Sequence, residues 1–302
     1  MKKKNQLYAY LSILICVMGS SCMRLDDNLY NLSDKITAYK RDHYTGVQDF
    51  ILDATYNIHD SLIHPFGLQS QIPGESSSFN IEAVYIGSLK KIQTDTVIMY
   101  CHGNKWHNDF YWQRAKLLAN IGGKNRYGVL MIDYRGYGLS SGKPTENGLY
   151  ADIDAGLAWL KEKGLSGSRL IMYGFSLGSA PATELTAYPR SLRPEKLILE
   201  APFASSFVMV QDAAGLNVPT SYISNIKIAN EEKIKFVNQP FFWIHGIADD
   251  FLNINTHGEA IFKNYKGSYH EAHRIEGANH GSIETTMGFT NYMKIINTFI
   301  EK

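Results

Sequence analysis

From residue 79 onward the apolar positions fall into two alternating patterns. Residues 79–86 (FNIEAVYI) alternate with a period of two, as an antiparallel strand does when one face is buried. Residues 96–101 (TVIMYC) are continuously apolar, the pattern of a strand buried on both faces of a parallel sheet. The same pattern recurs at 128–132 (GVLMI), 169–173 (RLIMY), 196–199 (KLIL) and 240–244 (PFFWI). Between these runs the spacing is helical, over 106–120, 150–163, 177–188 and 258–265, and a last helical pattern at 283–300 is placed to close one face. Strand and helix in alternation predict an α/β protein with helices on both sides of a mostly parallel sheet. Residues 23–78 are less regular and predict only a helix over 45–59.

Composition narrows the class without changing that picture. At 302 residues the chain has room for one large domain or two small ones. An apolar fraction of 44% and a charged fraction of 20%, with 9 Pro and 25 Gly, exclude disordered and collagenous classes. Lys plus Arg is 30 against 29 Asp plus Glu, so no excess charge of either sign is available to hold a nucleic acid. The three Cys, at 16, 22 and 101, are too few for a disulfide framework.

The first residues follow a different logic. Lys2, Lys3 and Lys4 precede an apolar stretch at 7–18 and then Gly19-Ser20-Ser21-Cys22. As a helix that stretch spans about 18 Å, short of the roughly 30 Å hydrocarbon core, which argues for a secretory signal peptide over 1–21. The small residues before Cys22 resemble the lipobox of bacterial lipoproteins. By that resemblance the Cys22 thiol is acylated and becomes the mature N-terminus, giving an exported cell-envelope protein held to a membrane by lipid, with plain secretion as the alternative. The expected organisation is then a signal peptide (1–21), a tether and helical lead-in (22–78) and a main domain of alternating strands and helices (79–302).

The chemistry lies at the strand ends. After the RLIMY strand comes Gly174-Phe175-Ser176-Leu177-Gly178, G-x-S-x-G in strand-turn-helix context, a turn that pushes the Ser hydroxyl out above the sheet. A Ser becomes a competent nucleophile when a base takes its proton, and the base needs an acid to fix its tautomer. In hydrolases built on this elbow the chain order is Ser, then Asp or Glu, then His. Here Asp249 follows the PFFWI strand in His245-Gly246-Ile247-Ala248-Asp249, and His280 follows a later strand in Gly277-Ala278-Asn279-His280-Gly281. The candidate catalytic set is Ser176, Asp249 and His280. An oxyanion hole requires two N–H donors: Leu177, next after the nucleophile, and Asn104, in the His102-Gly103-Asn104 loop behind the TVIMYC strand.

These motifs, with Asp133-Tyr134-Arg135-Gly136-Tyr137-Gly138-Leu139-Ser140 and Ala201-Pro202-Phe203, resemble the α/β-hydrolase superfamily and its small-cap serine hydrolases of the esterase, acylglycerol lipase and aminopeptidase type. The resemblance implies an α/β-hydrolase fold of about eight mostly parallel strands, with a short apolar cap at 204–235 after the sixth. It also selects Asp249 over its neighbour Asp250, since the family places the acid three residues after His-Gly. His102 and His245, each before a Gly at a strand end, are expected to be structural imidazoles, and Asp133 and Arg135 to brace loops. His270 and His273 point to opposite faces of a strand, so no metal pair is expected. The implied function is a serine hydrolase acting on a small-molecule ester, amide or thioester without a cofactor. An acyltransferase on the same triad and a non-catalytic binding protein remain as alternatives.

Overall fold

A computed structural model describes residues 30, 35–214 and 226–302. The expected signal peptide, Cys22 and part of the expected cap lie outside these residues. The sheet has eight strands: β1 (Ile63–Gln71), β2 (Ser78–Ile86), β3 (Val97–Cys101), β4 (Gly128–Ile132), β5 (Leu170–Phe175), β6 (Lys196–Glu200), β7 (Phe241–Gly246) and β8 (His270–Ile275). They lie in the order β1-β2-β4-β3-β5-β6-β7-β8. β2 pairs antiparallel with both β1 and β4, and every other pairing is parallel.

The helices are α1 (Asn108–Ala119), α2 (Glu146–Glu162), α3 (Ser179–Ala187), α4 (Ser206–Ala214), α5 (Asn230–Lys233), α6 (Gly258–Asn264), α7 (Ile283–Met287) and α8 (Phe289–Glu301). Strand alternation divides the core between the two faces of the sheet. On β3, Val97, Met99 and Cys101 pack toward α2 and α3, while Ile98 and Tyr100 pack toward α1 and α8. At about 25 cal/mol per Å² of buried apolar surface, these two layers supply the main driving force for folding. Cys101 is fully buried at the end of β3.

Three expectations are corrected. Residues 45–59 form no α-helix; only a 3-10 turn at Ala54–Tyr56 is present, with the Asp53 side chain accepting from Thr55 N. The segment instead runs as a strap over α1, burying Phe50 and Leu52 while Ile51 stays exposed. Its polar groups find partners on or just beyond α1: Asp49 with Arg114, Leu52 N with Gln113, the Tyr56 carbonyl with Asn120, and the Thr55 and Asn57 carbonyls with Lys124. Tertiary bonding thus replaces the local ladder. Second, β1 falls inside the expected tether and lead-in. Its sequence, IHPFGLQSQ, contains Pro65 and Gly67 and hides the strand period, which an edge strand tolerates. Third, the expected helix at 283–300 is two helices, separated at Gly288 with φ 76°. α8 then buries Tyr292, Ile296, Phe299 and Ile300 against the sheet, and the buried Lys196 ammonium donates to the Phe299 and Ile300 carbonyls at its C-terminus.

Candidate active site

The turn after β5 is tight because its glycines leave no room for a side chain. A Cβ on Gly178 would meet the carbonyls of Cys101 and His102, and one on Gly174 would lie 2.6 Å from the Gly178 carbonyl oxygen. Ser176 sits between them at φ 52°, a left-handed conformation that a non-glycine residue adopts only when its surroundings impose it. A 3-10 turn at Ser176–Gly178 leads into α3, so the expected helix begins two residues later than its pattern suggested.

The loops after β7 and β8 bring the other two residues to this turn. His280 Nε2 lies 3.0 Å from Ser176 Oγ, and His280 Nδ1 lies 2.8 Å from Asp249 Oδ2. Asp249 is ionised, so Nδ1 carries the proton and Nε2 is the acceptor for the Ser hydroxyl. Asp249 Oδ1 accepts from the backbone of Phe251 (3.0 Å) and Leu252 (2.8 Å). Burial pushes the Asp249 carboxyl up, but the bonds from His245 and His280, the His280 charge and the Leu252 N–H outweigh it and hold the group well below the usual carboxylate range. Asp250 is exposed to solvent and takes no part.

Asn104 and Leu177 line one cleft with Ser176, so the structure brings together all five expected site residues that it describes. The Asn104 loop is fixed from three sides. Tyr137 Oη donates to Asn104 Oδ1 (2.6 Å), Lys105 N donates to the same oxygen (2.9 Å), and Tyr111 Oη donates to the Asn104 carbonyl (2.9 Å). The cleft is narrow and otherwise mostly apolar, with Phe203, Met209, Ile228, Phe251 and Leu252 on its walls beside Tyr30 and Ser206. Met209 belongs to α4, which is tied down by Asp212. That carboxylate accepts from Thr256 Oγ1 (2.6 Å) and faces His257 Nε2 (3.3 Å). Burial depresses the His257 imidazole to about 4 although Asp212 opposes it, so His257 is neutral; its Nδ1 accepts from Ala204 N.

The expected bracing roles hold. His102 is buried, its Nδ1 2.8 Å from the Gly103 carbonyl and its Nε2 3.3 Å from Asp133. Arg135 makes a bidentate pair with Asp152, 2.7 and 3.1 Å. His270 packs edge-on against Phe262 and Tyr265, while His273 faces Glu271 at 3.4 Å. Sequence reasoning missed two features. Phe251 packs edge-on against the His280 ring, and Arg114 on α1 is buried behind Ser176, its guanidinium 4.0 Å over the Phe175 ring and paired with Asp49, Glu200 and Glu284. The charges in the helical pattern at 106–120 were the available signal, but helical spacing does not tell a solvated charge from a buried one.

The family described as Serine aminopeptidase, S33 matches residues 92–238, which include Ser176 but stop short of Asp249 and His280. Alpha/beta hydrolase domain-containing protein 17B of Homo sapiens is 30% identical over 208 residues, covering 68% of this chain and 66% of its own. The corresponding 17C protein of Mus musculus is 29% identical over 204 residues, covering 67% and 59%. The chain thus spans somewhat less than two thirds of the length of these relatives. Among solved structures, the Pyrococcus furiosus esterase Pf2001 superposes with a TM-score of 0.62 at 16% identity, covering 88% of this chain and 98% of its own. A Bacillus anthracis bromoperoxidase superposes at 0.57, with 16% identity and coverage of 78% and 100%. The strand order, the elbow turn and these likenesses agree, and the chain has the α/β-hydrolase fold.

Proposed function

We propose that the protein is a serine hydrolase that cleaves a carboxylic ester, or a related thioester or amide, of a small acyl substrate. The observation that supports this reading is the unbroken chain Ser176 Oγ to His280 Nε2 (3.0 Å) to His280 Nδ1 to Asp249 Oδ2 (2.8 Å) at a left-handed Ser turn. In the proposed reaction Ser176 Oγ attacks the acyl carbonyl while His280 Nε2 takes its proton. Asp249 keeps the imidazole in the right tautomer and stabilises its charge. The N–H groups of Leu177 and Asn104 receive the oxyanion, a contribution of roughly 3 to 4 kcal/mol per donor. His280 then protonates the leaving group, water attacks the acyl-enzyme with His280 as base, and Ser176 is regenerated. The apolar cleft walls suit the acyl chain.

A panel of chromogenic esters of increasing acyl length beside aminoacyl arylamides tests the proposal. Esters should turn over fastest, and Ser176→Ala and His280→Ala should each lower kcat by about a thousandfold or more, because triad members act as a unit. Either variant within tenfold of wild type would remove the triad assignment. For location, the proposal is export and a lipid tether at Cys22, resting on the Lys2 to Cys22 pattern.

A further inference from the structure

The acid of the site has a second imidazole bound to it. His245, the penultimate residue of β7, is fully buried, and its Nε2 lies 3.0 Å from Asp249 Oδ2, the same oxygen that His280 Nδ1 reaches at 2.8 Å. Nε2 also lies 3.0 Å from the Leu252 carbonyl. Both neighbours are acceptors, so Nε2 carries the proton. On the other side of the ring, Nδ1 faces Gly258, where a Cβ would come within 2.5 Å of it. Space has been left for an imidazole at this place, with its N–H aimed at the carboxylate.

We propose that His245 is a positioning residue of the proposed triad: its Nε2–H fixes Asp249 Oδ2 and draws off part of the carboxylate charge, which sets how firmly His280 holds a proton. The inference rests on the serine-hydrolase reading above. Asp249 Oδ1 is already filled by two backbone N–H groups, so Oδ2 alone is shared between the two rings. A carboxylate whose charge is divided between two donors stabilises an imidazolium less than one with a single donor. His245 therefore holds the Oδ2 lone pair in line with His280 and moderates how strongly Asp249 binds the imidazolium. The remaining titratable groups around this pair are His257 beside α6, with Asp212 of α4 behind it, and Glu259 of α6, bound to Arg274; Asp250 points into solvent. None of these donates a hydrogen bond to Asp249.

The test follows the rate at which a fluorophosphonate probe labels Ser176 as a function of pH, in the full chain and in two variants. His245→Phe fills the volume without a donor, and His245→Gln keeps an N–H. Thermal unfolding is recorded for each. His245→Phe should slow labelling about ten- to a hundredfold near neutral pH, as loss of a hydrogen bond to a charged group does, and should move the acid limb of the profile upward by about one pH unit. His245→Gln should stay within about threefold with little displacement of the limb. If His245 only packs, Phe should be tolerated at least as well as Gln and the acid limb should not move; that result overturns the inference. A third measurement, on unaltered protein, keeps the question open to decision if His245→Phe does not fold. In a nitrogen–proton correlation spectrum of the histidine rings, His245 should be the Nε2–H tautomer, and an Nδ1–H tautomer overturns the inference. Failure of the underlying reading looks different, because wild type itself would then go unlabelled at Ser176.

Discussion

Asp249 and Asp250 are adjacent in sequence but differ in environment. The first is buried under four hydrogen bonds and the second is in solvent. Asp249→Asn should therefore lower ester turnover by about a thousandfold or more, whereas Asp250→Asn should change it less than threefold. Parallel kcat/KM measurements decide the pair, and a reversed order moves the acid by one residue. The same bonds tie Asp249 to stability. Because its folded carboxyl titrates below the unfolded value, its contribution is present above about pH 4 and is lost as pH falls through the folded value. The gap in Tm between wild type and Asp249→Asn should accordingly narrow from pH 5 to pH 3. A gap that does not change with pH contradicts this account.

At the scale of elements, the strands buried on both faces were legible because a continuous apolar run admits few other readings. β4 lies where the pattern put it, at Gly128–Ile132, and the ends of β3 and β7 differ by one or two residues. The elbow and the acid were legible for a different reason, since each sits in a loop directly after such a strand, whereas the base follows β8, an edge strand without an apolar run (HEAHRI), and was legible from its own Gly277-Ala278-Asn279-His280-Gly281 segment and the chain order. What escaped was decided by tertiary partners: the edge strand β1, the strap over α1, and the charges inside α1. Arg114 shows what that strap accomplishes. Its guanidinium joins Asp49 of the strap, Glu200 at the end of β6 and Glu284 of α7, just beyond His280. Burial raises the Glu284 carboxyl well above its ordinary value although Arg114 opposes this, and the nearby Glu200 adds to the rise. A carboxyl raised in the folded state costs stability as pH climbs from the unfolded value toward the folded one. Glu284→Gln should therefore gain on wild type in thermal stability between pH 5 and pH 9. Arg114→Met takes the partner from the fully buried Glu200 and should lose about 3 kcal/mol or more in denaturant unfolding. A fully stable Arg114→Met variant would show that this buried pair does not hold the strap and α7 to the sheet.

For the whole molecule, the described fold sets the site at the carboxyl ends of β5, β7 and β8, and the proposed tether, Cys22, precedes the described residues in sequence. No helix among the described residues is long and apolar enough to cross a membrane. Attachment through Cys22 would add about 0.8 kcal/mol per buried CH₂, so several acyl chains suffice for firm membrane association. Wild-type protein grown with labelled fatty acid should take up label and sediment with membranes, while Cys22→Ala should do neither. Unlabelled, soluble wild-type protein would replace the lipid tether with plain secretion and leave the catalytic proposal standing.

Cys101 lies beneath the elbow, where its carbonyl is among the atoms that exclude a side chain from Gly178, and burial alone pushes its thiol far above the ordinary range. A thiol in that state neither ionises nor meets reagent while β3 and β5 remain paired. It therefore acts as a built-in clock for opening of the central sheet. Under native conditions Ellman's reagent should modify Cys101 only as fast as the population of opened molecules permits, and an active-site phosphonate that rigidifies the elbow should slow that modification. Reaction of Cys101 within seconds in folded protein would mean that the sheet beneath the nucleophile opens locally, well below the cost of global unfolding.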